Sequence, residues 1–173
     1  MKMRPLEQEQ DKLVESVAVF NRISVLKPEP GWVATQVYLQ VRAGSVEKSL
    51  FGHSRSEVIT RKSLAKLKSL GEAPQASGMI LTLVSEAFRI AEPETLRDPA
   101  FALQCSGRAA DAAGGKSPTR QLELAQAYRA AGQIDTSRAT AREALALLAP
   151  LRPGGAKPRI RKLLEIQTMR SMY

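Results

Sequence analysis

The chain has 173 residues, 43% of them hydrophobic, with 26 Lys and Arg against 17 Asp and Glu, one Cys and one His. That length fits one ordinary domain, and the apolar content supports a buried core, which excludes wholesale disorder. A lone Cys105 and a lone His53 exclude an intrachain disulfide and a four-ligand zinc site, while the net charge of +9 favours an anionic partner or a well-solvated basic surface.

The opening MKMRPLEQEQDKL meets Glu7, Glu9 and Asp11 before any apolar run, unlike a secretory signal. The longest strongly apolar stretch, 144–151, is far shorter than the ~20 residues of a membrane span. The expectation is a soluble, cytoplasmic protein with no membrane contact. Aromatics are only 5%, and Ala and Leu are abundant, which favours helices over sheet.

Residues 6–26 read as the first helix, with Leu13, Val17 and Phe20 at helical spacing. Pro28 and Pro30 stop it. A second helix is expected from Trp32 to Arg42. Its Val and Thr content also suits a strand, but Gln36 and Gln40 argue against a fully buried one. Gly44 is expected to end it as a C′ residue. A long helix follows over 46–70, on the stripe Val46, Leu50, His53, Val58, Leu64 and Leu67. Residues 71–78, GEAPQASG, are a loop by composition.

Met79 to Ala91 is the next helix. Asp98-Pro99 then supplies an N-cap and an N1 proline for a helix ending at Gly114-Gly115. Ser117-Pro118 repeats the device for a helix that stops at Gly132. Another runs from Asp135 to Leu148, and a last one from Pro158 to about Met169. No hairpin or βαβ pattern occurs, so the fold class is all-α, and short connections predict antiparallel neighbours.

Residues 118–151, PTRQLELAQAYRAAGQIDTSRATAREALALLAPL, form a unit of thirty-four residues. Leu124, Ala125 and Tyr128 give large, small and aromatic positions on its first helix. Gly132 turns the chain, and Ser137, Ala141 and Ala144 keep the second helix narrow where it crosses the first. Ile134 is expected to tuck beneath the pair, and Asp135 suits the start of the second helix. This unit resembles the tetratricopeptide repeat. AGSVEKS at 43–49 echoes AGQIDTS at 131–137 and suggests a degenerate unit, although Gln36, Val37 and Gln40 depart from the family pattern. Residues 79–113 suggest a third pair, with Ala87 and then Ala102, Ser106 and Ala109 as its small positions. The resemblance implies a TPR-like array of about three antiparallel helix pairs over 29–151. A helix at 1–28 precedes it, and a basic capping helix at 152–173 follows.

No phosphate-binding glycine loop or nucleophile elbow occurs. The Gly pairs at 114–115 and 154–155 read as helix stops. His53 lacks an acid to orient it and reads as packing, and Cys105 reads as a small buried filler. No cofactor, metal or catalysis is expected. The basic patch Arg55, Arg61, Lys62, Lys66, Arg159, Arg161 and Lys162 reads first as a solvated face, and secondarily as a surface for nucleic acid or an acidic peptide.

In tetratricopeptide proteins the ligand lies along the groove of first helices. The resemblance therefore places a partner-binding groove at Thr119, Leu122, Gln126 and Arg129, with Ala34, Tyr38 and Arg42 in the degenerate unit. The arginines favour a protein or peptide partner with acidic groups. Two alternatives stand beside this scaffold reading. One is the docking or sensory tail of a bacterial Ser/Thr kinase or transcription-regulator system. The other is nucleic-acid binding through the basic helices.

Overall fold

The computed structural model describes residues 5–26, 28–51, 57–148 and Lys162. These form α1 (Pro5–Leu26), α2 (Pro30–Phe51), α3 (Glu57–Glu72), α4 (Gly78–Ile90), a 3-10 turn (Glu94–Leu96), α5 (Pro99–Ala112), α6 (Pro118–Ala130) and α7 (Ile134–Leu148). The protein is all-α, with no strand among the described residues.

Side-chain caps set three of the helix starts. Asp98 Oδ1 accepts the Phe101 amide at 3.0 Å, and Ser77 and Ser117 hydroxyls each accept an amide three residues on at 3.4 Å. These bonds satisfy donors that the first turn leaves orphaned. Pro99 and Pro118 follow their caps directly, where a missing amide costs nothing. At the other end of α6, Gly132 takes φ +77°, and the Gln133 amide returns to the Tyr128 carbonyl at 2.9 Å. That left-handed residue is what lets the chain reverse into α7.

The echo AGSVEKS behaves differently. Gly44 is not a stop: α2 runs through it to Phe51. Positive φ among the described glycines is confined to Gly114, Gly115 and Gly132. A glycine inside a helix costs about 1 kcal/mol relative to Ala. Here it is offset by packing, because Gly44 is buried and the neighbouring Ser45 hydroxyl reaches the Ile90 carbonyl in α4 at 2.9 Å. The single long helix expected over 46–70 is correspondingly two: its first residues belong to α2, and α3 begins at Glu57. His53, Arg55 and the capping helix apart from Lys162 lie outside the described residues.

The even-numbered helices form a continuous layer. α2 packs on α4, and α4 on α6; each also packs on the helix after it, and α1 packs on α2. Two apolar clusters result. The larger draws Val37 and Val41 from α2, Leu67 from α3, Val84 and Phe88 from α4, and Phe101 and Cys105 from α5. Phe88 and Phe101 meet edge to face, 5.2 Å between centroids. Gly71, near the end of α3, marks the closest approach: a Cβ there would stand 3.0 Å from Val84 Cγ1 and 3.3 Å from Cys105 Sγ. Arg108 of α5 closes that end of α3 by donating to the carbonyls of Gly71 and Ala73.

The smaller cluster is Leu122 and Ala125 of α6 with Ala141, Ala144 and Leu148 of α7. Its alanines admit the close helix approach that the sequence suggested. The Ser137 hydroxyl bonds the Ala125 carbonyl across it at 2.6 Å. Ala102, Ser106 and Ala109 are likewise buried on α5, and the Ser106 and Ser85 hydroxyls meet at 2.6 Å. Ile134 does not tuck under the pair; it is 41% exposed at the first position of α7, where the side chain has no turn of helix beneath it.

Candidate partner-binding face on α2, α4 and α6

Helical spacing places Tyr38, Arg42 and Ser45 on one side of α2, and Thr82, Glu86 and Arg89 on one side of α4. Arg120 and Glu123 lie on α6. Together with Glu9 of α1 they make a polar seam across the layer. Arg42 Nη2 donates to Glu9 Oε1 at 2.6 Å. Arg89 Nη2 donates to Glu123 Oε2 at 2.8 Å, with side chains only 12% and 17% exposed. Arg120 Nη1 donates to the Thr82 hydroxyl. The Tyr38 hydroxyl stands between the Glu86 carboxylate and the Arg42 guanidinium.

The electrostatics follow from that placement. Burial, reinforced by Glu86 and opposed by Arg42, pushes the Tyr38 phenol well above its ordinary value. Burial works against the Arg42 charge, but Tyr38 and Glu9 outweigh it and hold the guanidinium protonated more firmly than usual. Burial also raises the Glu123 carboxyl; Glu86 adds to the rise, while Arg89 and Arg120 counter it. The seam holds Arg42, Arg89 and Arg120 against Glu9, Glu86 and Glu123, so its formal charge is zero.

The residues expected to line the groove fall into two groups. Tyr38 and Leu122 are buried, and Leu122 belongs to the α6–α7 core, so burial leaves little of either for a partner. Ala34 is buried as well. Arg42 is engaged by Glu9 and Tyr38. Thr119 and Arg129 are exposed and Gln126 is half-buried. Of the basic patch, Arg61 pairs with Glu57 four residues back at 2.9 Å, whereas Lys62, Lys66 and Lys162 are exposed. Arg55, Arg159 and Arg161 lie outside the described residues.

Glu9, Glu86, Arg89 and Glu123 escaped the sequence reading. A signal for two of them was present. Thr82, Glu86 and Arg89 stand at the same offsets from the N-cap Ser77 as Leu122, Gln126 and Arg129 do from the N-cap Ser117.

No group of three or more His, Cys, Asp or Glu side chains is arranged to hold a metal among the described residues, and no described helix is long and apolar enough to cross a membrane. Cys105 is fully buried, and burial pushes its thiol up to about 11. No protein-family model, curated protein or solved structure matches the chain.

Proposed function

We propose that the chain is a TPR-like scaffold that binds a protein or peptide along the face of α2, α4 and α6 and has no catalysis of its own. One observation carries this reading: alternate helices form a continuous layer, as stacked helix pairs require. The narrow, hydroxyl-pinned crossing of α6 and α7 supports it, because Ser137, Ala141 and Ala144 occupy the positions at which the repeat family keeps small residues. A partner reads Thr119, Gln126 and Arg129, the expected groove residues of α6 that stay accessible, while the seam fixes the spacing of the three helices.

The test is affinity capture with the wild-type chain as bait, followed by capture with Gln126→Ala and Arg129→Glu together. A partner that binds this face is lost or strongly depleted in the double variant. Undiminished capture by a variant of unchanged helicity counts against the groove.

A further inference from the structure

The protein carries a net charge of +9, yet the arginines of the seam are matched by acids. The uncompensated cations lie elsewhere. On α3, Lys62 and Lys66 are exposed and make no ion pair among the described residues. Lys68 on the same helix is 4.0 Å from Asp98 Oδ2, beyond hydrogen-bond length, and its ammonium stands 5.2 Å over the Phe101 ring. The ring holds the ammonium in place without neutralising it.

Lys68 lines a shallow, open cleft of about 370 Å³ between α3 and the connection from α4 to α5. Its apolar floor is Leu64, Phe88 and Leu96, the first two buried. Arg61, Lys68 and Arg97 line it with Asp98, and Arg61 is paired with Glu57. Arg97 is tied to Glu92 and Glu94 and to the Ala91 carbonyl, so it shapes the wall. Lys68, 4.0 Å from Asp98 Oδ2, is the most loosely paired of these three cations among the described residues and is placed to receive a ligand. At ~30 Å³ per water the space equals about a dozen waters. That is enough for one Leu or Phe side chain with a neighbouring carboxylate.

We propose that this cleft is a second docking site, for a peptide segment in which an acidic residue adjoins a large apolar one. The carboxylate meets Lys68, with Arg61 lining the same cleft, and the apolar side chain rests on the floor. An apolar floor offers nothing to a phosphate backbone. Phe88, the aromatic residue that lines the cleft, is 5% exposed and packed against Phe101, which leaves little aromatic face for a nucleic-acid base.

Fluorescence anisotropy tests it with a labelled synthetic peptide bearing two glutamates followed by Leu and Phe, and with matched peptides in which lysines replace the acids or alanines replace the apolar pair. The acidic–apolar peptide binds, and both substituted peptides bind at least about tenfold more weakly, near 1.4 kcal/mol. Lys68→Glu and the exposed cleft-lining Ala65→Glu each cause a similar loss at unchanged helicity, whereas Arg142→Glu on α7 does not. No binding, equal binding of the lysine peptide, or undiminished binding by both cleft variants overturns the proposal. So does a single-stranded oligonucleotide that binds more tightly than the peptide and loses its affinity in the same variants. The α6 variants of the groove test leave this readout unchanged, so either reading can fail without the other.

Discussion

Ser137 of α7 donates its hydroxyl to the main-chain carbonyl of Ala125 in α6 at 2.6 Å, and both residues are buried. The bond is made where two helices cross with only small side chains between them. It uses a carbonyl that already belongs to a helix, so it adds a contact without removing one. Residue 125 has to be small for the hydroxyl to arrive.

Two substitutions separate these effects. Ser137→Ala removes the hydroxyl and lowers stability by about 0.5–1.5 kcal/mol, the net worth of a typical hydrogen bond. Ala125→Leu forces the helices apart and costs about 1–3 kcal/mol or more. Urea unfolding followed by circular dichroism reads both. A smaller effect for Ala125→Leu than for Ser137→Ala contradicts a close crossing.

The buried pair of Arg89 and Glu123 predicts a pH dependence. Burial holds the Glu123 carboxyl above its ordinary 4.5 in the folded protein. The native state therefore binds this proton more tightly than the unfolded chain does. The stabilisation from protonating Glu123 is full below 4.5 and is lost as pH rises through the folded value. Glu123→Gln abolishes that slope and keeps an acceptor for Arg89. Glu123→Ala leaves a nearly buried guanidinium without a partner and is the more damaging. Unfolding free energies from pH 4 to 7 distinguish the three proteins. An identical slope in wild type and Glu123→Gln assigns the dependence to another group.

Cys105 gives a probe of opening. Its thiol is held at about 11 rather than the ordinary 9.0, and it is fully buried beneath Gly71. At mildly alkaline pH that rise strongly lowers the thiolate fraction, and burial slows attack further. Iodoacetamide labelling proceeds only through unfolded molecules and accelerates in parallel with urea unfolding. Rapid labelling of the native protein contradicts this packing.

Much of the helical order was legible because it rests on local chemistry. Asp98 and Ser117 act within three residues of themselves, as does Ser77, which the loop composition of 71–78 concealed, and Gly132 needs only its own backbone freedom to reverse the chain. AGSVEKS misled because its fate is decided at a distance. Ser45 finds the Ile90 carbonyl, forty-five residues on, and the burial gained there carries α2 through Gly44. The same contrast governs the seam. Thr82, Glu86 and Arg89 could be read from their offsets to a cap, but the pairing of Arg42 with Glu9 depends on α1 folding back onto α2, which no local pattern encodes.

The division of the apolar interior into two clusters has a kinetic consequence. Among the described residues, five buried apolar side chains join α6 to α7, and polar bridges such as Arg89 to Glu123 and Arg120 to Thr82 reach across to α4. Such bridges bury less apolar surface than a shared core does. The α6–α7 pair, which reaches the larger cluster chiefly through α6 packing on α4 and α5 among the described residues, is expected to open before that cluster unfolds. If the groove lies there, a ligand that touches both α4 and α6 acts as a staple, slowing that opening while it is bound.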